Sequence, residues 1–133
     1  MPSVVVLDTH ALIYDALAPK RLTRRAQRTI EKAAAEGELA CSDISLWEIA
    51  MLIAKGRLDP GADATQFLSD AIQARALRVL AITPEIAVMA QSKDFVHGDP
   101  ADRIIAATAL HHRAKLVSAD EQLKKLKGIE VVW

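Results

Sequence analysis

Aromatic side chains are scarce in this chain: Phe, Trp and Tyr make up only 4% of its 133 residues, although 51% of all residues are hydrophobic. The core must therefore be built mostly from Ala, Leu, Ile and Val. A chain of this length is long enough to bury such a core in one compact unit. We expect a single domain over residues 1–133.

The chain also lacks an excess of either charge, because 17 basic and 17 acidic residues give a net charge of zero. Proteins that coat nucleic acid without sequence preference are usually basic. Any contact with nucleic acid would therefore have to be local. The single cysteine, Cys41, cannot form an internal disulfide, and it suits a reducing compartment.

Long apolar runs are missing as well, since no stretch approaches the roughly 18 consecutive apolar residues of a membrane-spanning helix. The first residues, "MPSVVVLD", do not have the pattern of a signal peptide. We predict a soluble, cytoplasmic protein that does not contact a membrane.

Short aliphatic runs alternate with helical patterns along the chain. Strands without polar alternation, separated by helices, are typical of a parallel sheet that is covered on both faces. In such sheets ligands bind beyond the carboxyl ends of the strands, which is where Asp8 and Asp120 are expected. The predicted strands are 3–7, 38–42, 77–82, 115–119 and 129–133. The predicted helices are 10–17, 24–36, 44–56, 65–76, 85–93, from Asp99 to about His112, and 121–127.

Each acid near these strand ends also has a purely structural interpretation. Asp8 and Asp99 could cap helices, and Pro100 suits the first helical position after a cap. Ser45 with Glu48, and Ser118 with Glu121, match the spacing of a capping box.

Side-chain direction argues against that interpretation for Glu48 and Asp102. Residues three and four positions apart share a helix face, and both acids have apolar neighbours at those spacings. We expect both carboxylates to point toward the core, beside Asp8. Burying several carboxylates is costly unless a cation lies among them, and Arg103 leaves the helix about 100° away from Asp102. The apolar neighbours are Ile44, Met51 and Leu52 for Glu48, and Ile105, Ala106 and Ala109 for Asp102.

The available ligands narrow the choice of cation. Cys41 stands alone, and the histidines at 10, 97, 111 and 112 lack zinc-site spacing. Clustered carboxylates suit Mg²⁺ or Mn²⁺, which can activate a water against a phosphodiester. His10 and His97 are next to acids in the sequence and are candidates for supporting contacts.

Four segments in this order resemble the PIN-domain family, and within it the VapC-like toxins. They are "VVVLDTHALIY", "SDISLWEIAMLIAKGRL", "HGDPADRIIAATAL" and "LVSADEQL", which span residues 4–123. The resemblance implies a three-layer α/β/α sandwich with a five-stranded parallel sheet. It also implies a Mg²⁺- or Mn²⁺-dependent endoribonuclease, a homodimer, and a small VapB-like antitoxin that blocks the site and represses transcription.

Carried over residue by residue, the resemblance implies four catalytic, metal-binding acids, with Asp99 as an additional acid of this subgroup. The family commonly has Thr-x-Asp at the fourth acid, where this chain has Ser118-Ala119-Asp120. Ser118 and Thr9 are secondary candidates. The four acids are Asp8, Glu48, Asp102 and Asp120.

Two other functions remain open from the sequence. The acids could hold a metal or a basic peptide in a binding module without nuclease activity, or the chain could be a PIN nuclease of RNA maturation.

The segment "ISLWEIAMLI" has more apolar residues than one small core needs, and this favours a homodimer. A basic concentration is either a solvated face or a contact for RNA or antitoxin: Lys20, Arg21, Arg24, Arg25 and Arg28.

Overall fold

The computed structural model describes residues 3–95 and 98–133, and in this part of the chain short strands alternate with helices. The strands are Val5–Leu7 (β1), Leu39–Ser42 (β2), Arg78–Leu80 (β3), Lys115–Val117 (β4) and Val131–Val132 (β5). The helices are Thr9–Leu17 (α1), Arg24–Ala35 (α2), Asp43–Ala54 (α3), Ala64–Ala74 (α4), Pro84–Met89 (α5), Pro100–His111 (α6) and Glu121–Lys124 (α7). A short 3-10 turn at Pro19–Arg21, which the sequence does not predict, joins α1 to α2.

The strands form one sheet in the order β3-β2-β1-β4-β5, and every neighbouring pair is parallel. The central strand is β1, whose Leu7 is in register with Cys41 on one side and with Val117 on the other. This confirms the five-stranded parallel sheet that the family resemblance implies.

Each face of the sheet packs into its own hydrophobic core. Val5 and Leu7 of β1 belong to one core, while Val6, which points the opposite way, belongs to the other. Ile30 of α2 fills the first core and Ile105 of α6 the second. The three-layer α/β/α sandwich is therefore confirmed. Within the described part of the chain, no helix is long and apolar enough to cross a membrane.

The helix caps show which structural interpretations of the acids hold. Asp8, Asp99 and Asp120 each cap a helix. The interpretation of Ser45 with Glu48 and of Ser118 with Glu121 as capping boxes was wrong. The cap of α3 is Ser42, and the cap of α7 is Asp120. Capping therefore accounts for part of what three of the acids do, but it does not explain Glu48.

The chain leaves β1 for β2 on one side of the sheet, and β4 and β5 are added on the other side. Such a reversal of strand order opens a crevice at the carboxyl ends of the two strands that flank it. Here those strands are β1 and β4, so the topology itself locates the cleft between Asp8 and Asp120.

Arg103 fixes the chain between α5 and α6. Its guanidinium donates to the carbonyl of Ala90 at 2.8 Å, to that of Ser92 at 2.9 Å and to that of Phe95. One planar group thus holds three carbonyls of the segment that leads into α6, the helix that carries Asp102.

Replacing Arg103 with Met is expected to lower the free energy of unfolding by about 2 kcal/mol, because partly buried carbonyls lose a charged donor. Arg103→Lys is the matched control, since it keeps the charge but lacks the planar fork, and it should recover only part of the loss. Urea denaturation in metal-free buffer measures both variants. Unchanged stability of Arg103→Met would mean that water replaces the guanidinium at no cost.

Candidate functional site

The carboxyl ends of β1 and β4 open onto a cleft of about 290 Å³. Three of the four acids singled out from the sequence line it: Asp8, Asp102 and Asp120. They come from the start of α1, the first turn of α6 and the start of α7. Residues far apart in the chain are thus brought to one place, which we call the acid cleft. Its other lining residues are His10, Ala11, Tyr14, Ala119 and Trp133.

Asp8 is the most deeply placed of these acids, with 7% of its surface exposed. Its Oδ1 accepts the backbone N–H of Ala11 at 2.8 Å, which caps α1. Burial raises the pKa of Asp8 above its usual value, and the nearby Asp120 carboxylate adds a smaller rise. Hydrogen bonds from Ser118 and Ala11, and the charge of His10, act in the opposite direction. A buried carboxylate whose ionised form is disfavoured in this way is one that a cation would stabilise.

Ser118 connects two of the acids. Its fully buried hydroxyl donates to Asp8 and accepts the backbone N–H of Asp120 at 3.0 Å. Asp120 then uses Oδ1 to accept the N–H of Gln122 at 2.8 Å, which starts α7. The hydroxyl two positions before the fourth acid therefore has a geometric role, and Ser fulfils it where the family commonly has Thr.

Asp99 and Asp102 lie three residues apart but occupy different positions. Asp99 is exposed, and its Oδ1 accepts the N–H of Ala101 at 2.8 Å and that of Asp102 at 3.4 Å. Asp102 is half-buried and lines the acid cleft, whereas Asp99 is not among the described residues that line it. The neighbours of Asp102 on its helix face are buried as expected: Ile105, Ala106 and Ala109.

Glu48 reaches this region through hydroxyl groups. Its Oε1 accepts a hydrogen bond from Thr9, the residue after Asp8, and Thr9 Oγ1 lies 3.0 Å from Ser45 Oγ. Glu48 and its apolar neighbours are half-buried rather than fully buried, so the predicted core-facing side of α3 is covered only in part. The neighbours concerned are Ile44, Met51 and Leu52.

Ser45 is a residue whose role sequence reasoning missed. It was considered only as a helix cap, yet it lies inside the first turn of α3 and is fully buried against Thr9. The signal in the sequence was a hydroxyl three residues before Glu48, on the same side of the predicted helix. His97, a candidate for a supporting contact, lies outside the described residues, whereas His10 is exposed and lines the acid cleft.

The donor set of the acid cleft fits a hard divalent cation. Among residues 3–95 and 98–133, no three His, Cys, Asp or Glu side chains are already arranged to hold a metal ion. Mg²⁺ usually keeps several waters and takes only one or two carboxylates directly. A buried Asp8 with Asp102 and Asp120 around the same open cleft suits such a partly hydrated ion.

One of the basic residues singled out from the sequence lies beside this cleft. Arg21 places its guanidinium carbon 4.3 Å from the centre of the Tyr14 ring, and Tyr14 lines the cleft. Arg24, Arg25 and Arg28 are exposed on α2. Arg21 thus places positive charge at the rim, while the cleft itself is acidic.

Strand order, parallel register and a cleft of acids at the point where the strand order reverses together define one class of protein. The sequence matches the PIN domain model over residues 5–129, and the chain belongs to the PIN domain family. It is similar to "Ribonuclease VapC22" of Mycobacterium tuberculosis, with 35% identity over 123 residues that cover 92% of this chain and 91% of that protein.

Solved structures show the same fold. VapBC2 from Rickettsia felis, bound to a DNA fragment from its promoter, superposes with a TM-score of 0.70 at 19% identity and 96% coverage of both chains. DNA-bound VapBC from Salmonella typhimurium gives a TM-score of 0.68 at 16% identity, with 97% of this chain and 96% of that chain covered.

Proposed function

We propose that this chain, over residues 1–133, is a single-domain Mg²⁺- or Mn²⁺-dependent endoribonuclease that acts as the toxin of a type II toxin–antitoxin pair. The observation that carries the proposal is the burial of Asp8 in a cleft that it shares with Asp102 and Asp120. The similarity to a protein named a ribonuclease, which extends over 92% of this chain, supports RNA as the substrate.

In this proposal the catalytic acids Asp8, Asp102, Asp120 and Glu48 hold the ion, directly or through water. A divalent ion at this place supplies a nucleophilic water near neutral pH and positive charge against the phosphodiester. The chain contributes the positions. Ser118 donates to Asp8 and so favours its ionised form, and the positive end of α6 lies beside Asp102.

Thr9 and Ser45 have a positioning role. Thr9 donates to Glu48 and lies 3.0 Å from the Ser45 hydroxyl, so the Glu48 carboxylate is held on the side of Asp8. Because Thr9 follows Asp8 directly in the chain, the hydrogen bond from Thr9 connects the position of Glu48 to that of Asp8. Asp99 acts as the cap that sets the start of α6 and hence the direction of Asp102.

The proposed partners are RNA, a VapB-like antitoxin and a second copy of the chain. Solved neighbours described as VapBC complexes support the antitoxin. Trp47 is 61% exposed on α3 and Val88 is 74% exposed on α5, which is apolar surface that a second copy could cover. Residues for contact with RNA or antitoxin are Arg21, Arg24, Arg25 and Arg28.

The purified protein is expected to cleave single-stranded RNA with Mg²⁺ or Mn²⁺ and to stop when EDTA is in excess. Glu121→Gln is a matched control, because Glu121 is an exposed acid beside Asp120 that pairs with Lys124. It should cleave at the wild-type rate. Equal cleavage in EDTA would overturn the metal-dependent mechanism.

A second arm of the same experiment separates a toxin from a nuclease of RNA maturation. Induced expression of the wild-type chain should arrest growth, and co-expression of the neighbouring upstream reading frame should restore it. Normal growth with abundant folded, cleavage-competent protein would contradict the toxin assignment while leaving the ribonuclease assignment intact.

A further inference from the structure

The few aromatic residues of this chain are distributed unevenly. The sequence has two Trp, two Phe and one Tyr. Phe67 and Phe95 are buried in the two cores, and Trp47 is exposed on α3. The remaining two, Tyr14 and Trp133, both line the acid cleft. Two of the five aromatic residues are therefore half-buried beside the carboxylates, where part of each ring is open to a ligand.

Tyr14, Trp133 and His10 form what we call the aromatic wall of the acid cleft. The ring centres of Tyr14 and Trp133 are 6.3 Å apart, with their planes tilted by 57°. Those of His10 and Tyr14 are 6.2 Å apart and tilted by 54°. Tyr14 and Trp133 also pack against the first hydrophobic core, so their positions are fixed before any ligand arrives.

The wall carries positive charge at its edge. The 3-10 turn at Pro19–Arg21 brings the Arg21 guanidinium carbon to 4.3 Å from the centre of the Tyr14 ring. A guanidinium over an aromatic face is held by the charge distribution of the ring. Arg21 thereby stands next to the acid cleft, without entering the set of acids.

We propose that the aromatic wall stacks an unpaired base of the RNA next to the scissile phosphate, while Arg21 contacts a neighbouring phosphate. The inference rests on the proposed ribonuclease function and adds how that site holds its substrate. Carboxylates repel an RNA backbone, so binding energy must come from groups beside them. Aromatic rings that stack bases, together with basic side chains, are the means by which proteins hold single-stranded RNA.

The tilt of the rings sets the kind of recognition. Planes inclined by more than 50° cannot clamp a base between parallel faces, so a base stacks on one ring at a time. Stacking on a single ring tolerates every base, because each base has a π-face. The wall should therefore favour unpaired over paired RNA, with little preference for base identity.

The two tryptophans allow a test that is independent of catalysis. In an Asp102→Asn background, in which cleavage is not expected, Trp47→Phe leaves Trp133 as the sole indole, and Trp133→Phe leaves Trp47. Each protein is titrated in Mg²⁺ with a short single-stranded oligoribonucleotide of randomised sequence. We expect RNA to quench the emission of Trp133 and not that of Trp47, and a fully paired duplex of the same length to quench neither. Quenching of Trp47 alone, or equal quenching by the duplex, would overturn the inference.

A binding and cleavage arm separates the inference from the function on which it rests. Trp133→Ala should weaken binding of the same oligoribonucleotide about tenfold and raise KM by a similar factor, and Trp133→Phe, which keeps a ring, should recover part of that loss. The control Trp47→Ala changes an exposed tryptophan that does not line the cleft, and it should stay close to wild type. If Trp133→Ala binds and cleaves like wild type, the wall is refuted and the ribonuclease remains. If RNA quenches Trp133 but the wild-type protein does not cleave, the wall stands as an RNA-binding feature and the ribonuclease proposal fails.

Discussion

Replacing Asp8 with Asn is expected to abolish RNA cleavage and, at the same time, to raise the thermal midpoint of the metal-free protein. Asp8 is 7% exposed, and burial raises the pKa of its carboxyl. At neutral pH its ionisation therefore costs free energy in the folded state. Asn removes that cost and still accepts the Ala11 N–H as a helix cap.

The pH dependence of this effect follows from proton linkage. In the unfolded chain Asp8 titrates near 3.8, and in the folded protein its pKa is higher. Between those two values the folded state binds more protons, so wild-type stability falls as the pH rises. The advantage of Asp8→Asn over wild type should grow through this window and level off above the folded pKa. Urea denaturation in EDTA at a series of pH values measures it.

Adding Mg²⁺ should reverse the order of thermal midpoints between wild type and Asp8→Asn. An ion that binds only the folded state stabilises it by RT ln(1 + c/Kd), where c is the concentration of the free ion. Mg²⁺ should therefore raise the midpoint of the wild type and of the control Glu121→Gln, but not that of Asp8→Asn. An equal shift in all three proteins would place the ion elsewhere. Loss of stability in Asp8→Asn at neutral pH would mean that the carboxylate has a stronger internal partner than Ser118.

Much of the fold could be predicted because its signals are local. The aliphatic run that ends at Leu7 becomes the central strand, and Asp8 and Asp99 cap the helices that follow them. The position of Asp8 and Asp120 at one edge then follows from parallel strands alone. These inferences need only periodicity, capping chemistry and the geometry of a parallel sheet.

The features that could not be predicted from the sequence depend on contacts between distant segments. A helical face shows which residues point together, but not whether another element covers them. That is why the neighbours of Asp102 are buried and those of Glu48 are only half-buried. The Thr9–Ser45 contact joins residues 36 positions apart, and no pattern within either segment specifies it. The same holds for Arg103, whose carbonyl partners lie on the chain between α5 and α6.

Asp102→Asn and Asp99→Asn are expected to differ sharply, although the residues are three positions apart. Asp102 lines the acid cleft with two other carboxylates, so its replacement should abolish cleavage and leave the metal-free fold intact or slightly more stable. Asp99 accepts the N–H groups of Ala101 and Asp102. Asn accepts them as well, so Asp99→Asn should lower stability by well under ~1 kcal/mol and keep substantial activity.

The comparison needs the cleavage rate in Mg²⁺ and the melting temperature in EDTA for both variants beside the wild type. Asp99→Ala serves as the control for the cap: it lacks the acceptor, so it should lose about 1 kcal/mol of stability. Its activity should fall as well, because the start of α6 sets the direction of Asp102. If Asp99→Asn is inactive while Asp102→Asn cleaves RNA, the two aspartates have the opposite roles, and the carboxylate at the start of α6 is the one that serves the ion.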